Sequence, residues 1–335
     1  MKPIPAGAIQ RASPLPASAM RRIALALICL CFPAHAETTL RVMSFNAWGG
    51  GAKEGKGVEE TVAAIRAAGA DSVGLQETRV EPDPRTPTAC AGTGPSVAPA
   101  IAAALGWHYH DKTQQNGVLW ANSILSRYPI GPATPNGLGV PVDVNGITLW
   151  MFNIHLDDEP YQPYQPCQLL GIEYGPAPFV TTEAEAIRFA GATRGPAMDL
   201  LAQDMTAAEG AAGIFVTGDV NEPSGLDWTG ATVTAGQHPV AVNWPTTRRL
   251  TDAGFIDTYR AIFPDPVAKP AFTWSPRSDG AATDDHPDRI DVVLARGNGL
   301  TVTGAAIVGE DGPRSDRVVM PWPSDHRAVV AEVRF

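Results

Sequence analysis

Apolar runs that end in polar residues recur along the chain, and residues 213–221 contain the clearest of them. Ile, Phe and Val fill positions 214–216, and the run continues through Thr and Gly to Asp219 and Asn221. A short apolar run rich in β-branched and aromatic residues predicts a buried strand. Because side chains alternate along a strand, Asp219 and Asn221 lie on the same side of it. A carboxylate and a carboxamide therefore leave this strand toward one spot.

The same kind of pattern predicts seven further strands, at residues 39–48, 71–77, 116–129, 146–155, 272–274, 289–295 and 328–335. Apolar residues at helical spacing predict helices at 58–68, 101–105, 181–209 and 250–263, with Gly195-Pro196 expected to kink or divide the third. Residues 78–100 and 160–180 are rich in Pro and predict loops. Strands joined by both hairpins and helical crossovers indicate a layered α/β sandwich with mixed sheets.

Strand, helix and strand follow one another over residues 39–77. This is the length of a βαβ unit, which brings both strand ends to one edge of the sheet. The first strand ends at Asn46 and the second at Glu77. We therefore expect these two side chains to be neighbours.

The first 36 residues have the pattern of a signal peptide and not of a folded element. An arginine pair at 21–22 precedes the apolar run 23–32, and Ala-His-Ala at 34–36 matches a signal-peptidase site. We expect cleavage before Glu37, translation from either Met1 or Met20, and one domain over residues 37–335. No later segment approaches the length of a transmembrane helix. The expected location is secreted or periplasmic.

Charge and cysteine content change once this leader is set aside. The leader holds four basic and no acidic residues, which leaves 21 basic and 35 acidic residues and a net charge of −14. Cys29 and Cys31 leave with it, and Cys90 and Cys167 remain in a compartment where disulfides persist. The mature chain is therefore acidic and has one possible internal disulfide.

Polar residues stand at six predicted strand ends or starts: Asn46, Glu77, His155, Asp219 with Asn221, Asp291, and Asp325 with His326. The segments SFNAW, LQE, ILSRYPI, NIHLD, GDVNEP, RID and SDH, in this order, resemble the endonuclease/exonuclease/phosphatase superfamily, whose nucleases, sphingomyelinases and inositol phosphatases share the DNase I-like fold. The resemblance covers residues 41–335. It implies a four-layered α/β sandwich, with two mixed β-sheets packed face to face and helices outside.

The resemblance implies a divalent metal site. Glu77 would be the main ligand, helped by Asn46 and Asp325. Hard oxygen ligands of this kind fit Mg²⁺ or Mn²⁺, with waters and a substrate phosphate completing the coordination shell.

The resemblance also implies roles in proton transfer. His326 would be the general base and Asp291 would orient its imidazole, with a pKa near the ordinary histidine value. Asp219 would position the water, Asn221 would hold a phosphate oxygen, and His155 would stabilise the developing negative charge. In the alternative assignment Asp219 is the base, and the sequence leaves both open.

Each residue also has a structural interpretation. Asn46 could form only a turn, Asp291 could pair with Arg289, and a histidine such as His155 is more often a hydrogen-bonded core residue. Arg127 in ILSRYPI is not counted as catalytic. We expect a metal-dependent phosphodiesterase. A nuclease, a phospholipid or sphingolipid hydrolase, and a small-molecule phosphatase remain open, and a silent protein that binds a phosphorylated ligand is the competitor from another class.

The substrate is expected to be compact. A nuclease gains affinity from several Lys and Arg contacts to phosphates, whereas this chain has only the pair Arg248-Arg249. Aromatic residues near the motifs are expected at the rim of the site: Trp48, Trp228, Trp274, Trp322, Tyr161 and Tyr164. We therefore expect small or lipid phosphodiesters to be preferred over duplex DNA. The sequence leaves the oligomeric state open.

A disulfide between Cys90 and Cys167 is expected from the same implied site. The two cysteines lie in the loops that follow Glu77 and His155, which the mechanism requires to be close. Two free thiols are the alternative.

Overall fold

The computed structural model describes residues 38–79, 95–112, 122–169, 179–274 and 285–335. The chain divides into two units between Ala36 and Glu37, and all described residues belong to the second. The expected leader, Cys90, and residues 116–121 of one expected strand lie outside the described residues. Within the described residues, every helix is too short or too polar to cross a bilayer.

Twelve strands form the described β-structure: β1 (Thr39–Asn46), β2 (Ser72–Gln76), β3 (His108–Asp111), β4 (Ser123–Ser126), β5 (Gly139–Val144), β6 (Ile147–His155), β7 (Gly213–Asp219), β8 (Ile256–Asp257), β9 (Asp291–Arg296), β10 (Thr301–Gly309), β11 (Arg317–Val318) and β12 (Ala328–Arg334). The α-helices are α1 (Val58–Ala68), α2 (Ala98–Leu105), α3 (Tyr164–Cys167), α4 (Glu183–Met205), α5 (Gly230–Thr234), α6 (Pro245–Asp252) and α7 (Thr258–Ile262). Short 3₁₀ helices span Gly49–Glu54 and Thr206–Ala208.

The strands form two mixed sheets. The first has the order β11-β10-β12-β1-β2-β4-β3 and the second has the order β5-β6-β7-β9-β8. β1 is parallel to β2, and β6 is parallel to β7, because α1 and α4 provide the crossovers that parallel pairs need. The two βα-connected pairs lie at the middle of their sheets, and their carboxyl ends carry the polar residues.

Side chains alternate between the two faces of each central strand, and the apolar ones pack into three layers. In β1, Val42 faces the second sheet, while Met43 packs outward against Ile65 of α1. In β7, Phe215 likewise lies in the layer between the sheets, and its neighbour Val216 packs in the layer that contains α4 and α6. The sheets therefore pack face to face with helices outside, which confirms the expected four-layered α/β sandwich.

A buried polar seam joins the sheets close to the strand ends. Asn153 of β6 donates from Nδ2 to the carbonyl of Leu75 at 2.7 Å and accepts from Gln76 Nε2 at 2.6 Å. Thr217 Oγ1 also donates to Asn153 Oδ1 at 3.1 Å. Gly74 lies opposite, and a Cβ there would stand 2.0 Å from Thr217 Oγ1. The seam sets how closely the sheets approach beside the site.

Several elements differ from the sequence-based expectation. Pro196 lies inside α4, which is not divided there, because the helix continues from Glu183 to Met205. The expected strand at 272–274 is a single bridge between Trp274 and Asp288. The sequence pattern does not predict β3, β5, β10, α5 or α6. Cys167 is a free, half-buried cysteine, and its pairing with Cys90 stays a prediction because Cys90 is not described.

Candidate active site

Three neighbouring strands bring candidate catalytic side chains into register. Asp219 at the end of β7 is the register partner of His155 at the end of β6 and of Asp291 at the start of β9. A carboxylate, an imidazole and a second carboxylate therefore meet at one edge of the second sheet. All three side chains are buried, with at most 1% exposure.

The first sheet contributes Asn46 and Glu77, which are neighbours as the βαβ pattern predicts. Asn46 Nδ2 donates to Glu77 Oε1 at 3.0 Å and to Asp219 Oδ2 at 3.1 Å, so one amide links the two sheets. Asn46 Oδ1 accepts from the Trp48 amide at 3.1 Å. Because each NH of the amide has a carboxylate acceptor, the side-chain orientation of Asn46 is fixed.

His326 is held on both sides. Its Nδ1 hydrogen-bonds Asp291 Oδ2 at 2.9 Å, and its Nε2 lies 3.6 Å from Asp219 Oδ2. Ser324 fixes the turn before it, because its hydroxyl donates to the Asn46 carbonyl at 2.7 Å and accepts from the His326 amide at 3.1 Å. Because the Nδ1–H group of His326 points at Asp291, Nε2 is the ring nitrogen that faces the site.

The pKa of His326 corrects one expectation. Burial lowers this pKa, but the carboxylates of Asp291 and Asp219 outweigh burial and raise it to about 10, instead of leaving it near 6.5. Burial also raises the pKa of Asp219, to about 7, although the His326 cation opposes the rise. The isolated site therefore carries a proton on His326 at neutral pH.

His155 and Asn221 complete the inner part of the site. His155 Nε2 lies 3.6 Å from Asp219 Oδ2, at the same distance as His326 Nε2. Asn221 donates from its backbone to Asp219 Oδ1 at 3.0 Å, and its side-chain Nδ2 donates to the Leu156 carbonyl at 2.9 Å. The second Nδ2 proton is the one that a phosphate oxygen could receive.

These residues open into a cavity of about 70 Å³. Its described lining consists of Glu77, His155, Asp158, Tyr161, Asp219, Asn221, Trp274, Asp325 and His326. A larger cavity of about 340 Å³ beside Tyr259 and Arg327 has none of the expected catalytic residues in its described lining. The smaller cavity is therefore the candidate active site, and all eight expected site residues lie in it or hydrogen-bond to its lining.

The donor set of this cavity fits a hard divalent cation. Four carboxylates line it, from Glu77, Asp158, Asp219 and Asp325, and neither Lys nor Arg is among its described lining residues. Carboxylate and amide oxygens are the donors that Mg²⁺ and Mn²⁺ prefer.

A second ligand set is possible on distance alone. Ligand atoms of Asp219, Asp291 and His326 lie within 4.8 Å of one another. A metal bound by all three would have to replace the hydrogen bond between His326 Nδ1 and Asp291 Oδ2. That ligand set would therefore remove the contact that orients the His326 ring.

Two arginines near the motifs have partners away from the site. Arg289 pairs with Asp227 at 2.9 Å and with Asp257 at 2.7 Å, so it is not the partner of Asp291. Arg127 pairs with Asp71 at 2.7 Å, next to the start of β2 and at the opposite end of this strand from Glu77. Both arginines serve the fold.

The expected aromatic rim is correct only in part. Trp228 is 1% exposed and Trp322 is 6% exposed, so both are packing residues. Trp322 donates from Nε1 to the carbonyl of His326 at 2.8 Å and supports the site from behind. Tyr161 and Trp274 do line the cavity, with ring centroids 5.6 Å apart. One wall of the site is therefore aromatic.

Sequence reasoning missed several supporting groups. Thr273 Oγ1 accepts the backbone N–H groups of Ile290 and Asp291, at 3.0 and 3.1 Å, and fixes the start of β9. Ser324, the first residue of the SDH motif, has the similar role described above. Thr273 has no distinctive sequence signal, because a single hydroxyl residue beside a motif is common.

This arrangement of strand-end carboxylates and imidazoles between two mixed sheets defines a hydrolase of the DNase I-like fold class. The family model of the endonuclease/exonuclease/phosphatase family matches residues 43–326, and the chain belongs to this family. Endonucleases, exonucleases and phosphatases all cleave phosphate esters. The protein is therefore an enzyme that hydrolyses phosphate ester bonds.

Individual proteins are similar to this chain over most of its length. An uncharacterised protein of Caenorhabditis elegans is 28% identical over 316 residues, which cover 88% of this chain and 91% of the relative. The crystal structure of an endonuclease/exonuclease/phosphatase from Beutenbergia cavernae has a TM-score of 0.52 at 21% identity, covering 89% of this chain and 72% of that chain. A family protein from Leptotrichia buccalis has a TM-score of 0.50 at 12% identity, covering 88% and 100%. These two structures share the fold.

Proposed function

We propose that the protein is an exported, divalent-metal-dependent phosphodiesterase that directs a water onto phosphorus without a covalent intermediate. The observation that carries this proposal is the surrounding of Asp219 Oδ2. This atom lies 3.1 Å from Asn46 Nδ2 and 3.6 Å from Nε2 of both His155 and His326. A buried carboxylate between two imidazoles serves proton transfer, and a protein that only binds a phosphorylated ligand does not need it.

The residues that would hold the metal are Glu77, Asn46 and Asp325. When bound, a Mg²⁺ or Mn²⁺ ion would act as a Lewis acid on the phosphate and lower the pKa of a coordinated water. The side-chain amide of Asn46 keeps Glu77 and Asp219 at fixed separation, so the metal side and the proton-transfer side of the site are coupled.

The remaining residues act on the proton and on the phosphate oxygens. Asp219 and His326 face the same cavity, and either can take the proton of the attacking water while the other orients it or stabilises charge. Asp291 fixes His326 through Nδ1. His155 and the second Nδ2 proton of Asn221 are placed to stabilise negative charge on the phosphate oxygens.

Two substitutions test the proposal. Glu77→Gln and His326→Ala should each lower the metal-dependent rate by two to four orders of magnitude. The substrates are bis-p-nitrophenyl phosphate, sphingomyelin vesicles, inositol phosphates and plasmid DNA. Glu209→Gln and His108→Ala, at exposed positions, are the matched controls and should keep the wild-type rate. Near-full activity of folded His326→Ala on every accepted substrate would overturn the assigned site.

The rate at high pH shows whether Asp219 or His326 is the general base. If Asp219 takes the proton, His326 must stay protonated, so the rate rises as Asp219 loses its proton and falls at higher pH as His326 loses its own. If His326 takes the proton, only its neutral form is active, and the rate keeps rising as His326 loses its proton. A pH–rate profile of kcat/KM for the free enzyme decides between them.

The proposed substrates are small or lipid phosphodiesters, with a duplex nucleic acid as the weaker alternative. The narrow cavity and the aromatic wall of Tyr161 and Trp274 support a compact ligand held through one phosphate. Export is proposed from the leader pattern at residues 1–36. N-terminal sequencing of protein recovered outside the cytoplasm would find Glu37 first.

A further inference from the structure

A second cluster of metal-ligating side chains lies behind the aromatic wall of the cavity. It consists of Cys167, His238, His286 and Asp288. His286 Nε2 lies 3.3 Å from His238 Nδ1, and the Cys167 thiol hydrogen-bonds the His286 ring. Ligand atoms of His238, His286 and Asp288 all lie within 4.8 Å of one another. None of the four belongs to the active site described above.

The hydrogen bonds of His286 place too many acceptors around one nitrogen. Its Nδ1 faces Asp288 Oδ2 at 3.3 Å, so a carboxylate takes the proton on that side. Its Nε2 then faces the Gln237 carbonyl at 3.0 Å and His238 Nδ1 at 3.3 Å, with the Cys167 sulfur also against the ring. A carbonyl oxygen only accepts, so the Gln237 carbonyl and His238 Nδ1 compete for the single Nε2 proton of His286. Lone pairs converge where a single cation would satisfy them.

We propose that this cluster binds a divalent cation of the zinc class. The ligands are His286 Nε2, His238 Nδ1 and the thiolate of Cys167, which hydrogen-bonds the His286 ring but lies outside the 4.8 Å group of His238, His286 and Asp288 and must move toward it on binding. In a tetrahedral site with metal–nitrogen distances of about 2.0 to 2.1 Å, two ring nitrogens stand about 3.3 Å apart. His238 and His286 already have this separation. Nitrogen and thiolate donors select zinc over Mg²⁺, which prefers oxygen.

Asp288 is a positioning residue for this metal. Its Oδ2 accepts from His286 Nδ1 and leaves Nε2 for the ion, which is the carboxylate–histidine–metal arrangement that fixes ring orientation. Binding removes the proton from the Cys167 thiol and from Nε2 of a protonated His286, and both protons pass to solvent. The metal forms bonds to sulfur and nitrogen, and no oxidant or reductant takes part.

The cluster is joined to the active-site wall. Asp288 also accepts from Tyr161 Oη at 3.2 Å and from Trp228 Nε1 at 2.8 Å. Its backbone pairs with Trp274, through N–H groups donated in both directions. Tyr161 and Trp274 line the candidate cavity. A metal bound to the cluster would therefore restrict the motion of these two side chains through Asp288. The site is structural and shapes the substrate cavity from behind.

A bond from Cys167 to the metal excludes a Cys90–Cys167 disulfide. The hydrogen bond between the Cys167 thiol and His286 supports the metal site. The purified, unreduced protein distinguishes the two states, because alkylation and mass spectrometry detect either a free Cys167 or its bridged peptide.

Cobalt titration of the chelator-stripped full chain tests the site directly. We expect one equivalent of Co²⁺ to give a thiolate-to-cobalt charge-transfer band and tetrahedral d–d bands, and Zn²⁺ to displace it. His286→Asn and Cys167→Ser should weaken this binding at least about tenfold. Cys90→Ser, His108→Asn and Glu77→Gln are matched controls that should keep the spectrum.

Three results would overturn the site: no charge-transfer band in the wild-type protein, an unchanged band in Cys167→Ser, or a native Cys90–Cys167 bridge. The wild-type spectrum and the mass measurement need no variant, so they decide the matter even where His286→Asn fails to fold. Hydrolytic activity is not the readout, so the outcome is independent of the proposed phosphodiesterase function.

Discussion

Glu77, the expected main metal ligand, holds its backbone in the left-handed region with φ of 49°. This region costs most L-residues roughly 1 to 2 kcal/mol, and glycine occupies it freely. The Gly49 amide donates to the Glu77 carbonyl at 2.7 Å, and the Asn46 amide donates to its carboxylate at 3.0 Å. Surrounding bonds therefore hold a strained residue where its carboxylate faces the cavity, as strained residues at functional sites often are held.

This strain predicts that the Glu77→Gly variant is more stable than the Glu77→Ala variant. Glu77→Gly should unfold in urea with a free energy about 1 kcal/mol higher than Glu77→Ala, because only alanine keeps a Cβ in the left-handed region. Both lose activity. At exposed Glu209, with φ of −59°, alanine should be at least as stable as glycine. Equal or reversed stabilities at position 77 would contradict the strain.

Lys112 gives a pH-dependent prediction. Its side chain is 2% exposed, and burial lowers its pKa from 10.5 to about 8, although Asp204 opposes this. Between pH 8 and 10.5 the unfolded chain therefore binds more protons at this site, and the folded state gains stability as pH rises. Lys112→Met removes the charge. At pH 7 the Lys112→Met variant should have a higher free energy of unfolding than the wild-type protein. The difference between the two should shrink as the pH approaches 10.5.

Urea denaturation of both proteins across this range is the measurement, since other titrating groups cancel in the difference. Lys269→Met, at an exposed lysine that pairs with Asp316 at 2.6 Å, is the control and should show no such convergence. A constant difference between Lys112→Met and wild type would mean that the Lys112 ammonium is not penalised by burial.

That the eight candidate residues lie together could be predicted, because each stands at the end of a recognisable strand or motif. The pKa of His326 could not, because it depends on two carboxylates that are distant in sequence and buried beside it. His238 and His286 could not be found either. They lie 48 positions apart with no motif around them, and only the packing of Trp228 and Asp288 brings them together.

At the scale of elements, the seam between the sheets decides the geometry of the site. Gly74 in β2 faces Thr217 of β7 and Asn153 of β6, and the strand ends that carry Asn46, His155 and Asp219 lie just beyond. An added Cβ at Gly74 would meet Asn153 Oδ1 at 2.6 Å and Thr217 Oγ1 at 2.0 Å. Such contacts cannot exist without a shift of one sheet or of both side chains.

Gly74→Ala should therefore destabilise the protein by roughly 1 to 3 kcal/mol and lower activity by moving the two halves of the site apart. Gly304→Ala in β10 is the matched strand control, because the nearest atom to its Cβ would be Glu332 Cβ at 3.6 Å, an ordinary contact. Adding Thr217→Ala to Gly74→Ala should recover part of the stability, measured as the urea midpoint. Similar midpoints for Gly74→Ala and Gly304→Ala would exclude a tight seam.

The elements that were predicted are those with strong periodicity. β1, β2, β6, β7, β9 and β12 follow apolar runs, and none of them is an edge strand of its sheet. α1 follows apolar residues at helical spacing. β5 reads GVPVDV and contains a proline, whereas β10 has a Gly-Ala-Ala stretch of low strand propensity. β5 is an edge strand, where proline is tolerated, and β10 is held mainly by pairing with β12. Tertiary pairing, which the local sequence does not encode, forms both strands.

At the scale of the whole molecule, charge and site shape bear on the substrate. Residues 37–335 contain 21 basic and 35 acidic residues. The basic pair Arg248-Arg249 lies within α6, and Arg249 forms an ion pair with Asp199 at 2.6 Å. Duplex DNA carries one phosphate charge per about 1.7 Å of axis, and its binding requires many cationic contacts. A single phosphate in a narrow cavity requires only the local site.

The last prediction follows from this contrast. The rate on a small or lipid phosphodiester should exceed the rate on duplex DNA and change little between about 50 mM and about 200 mM salt, because few counterions are released. A nuclease with 6 to 10 phosphate contacts would lose roughly 10³ to 10⁵ in affinity over that range. Parallel assays on bis-p-nitrophenyl phosphate, sphingomyelin vesicles and plasmid measure this, with Glu77→Gln as the inactive control. Rapid plasmid nicking that disappears in Glu77→Gln and falls steeply with salt would make the protein a nuclease.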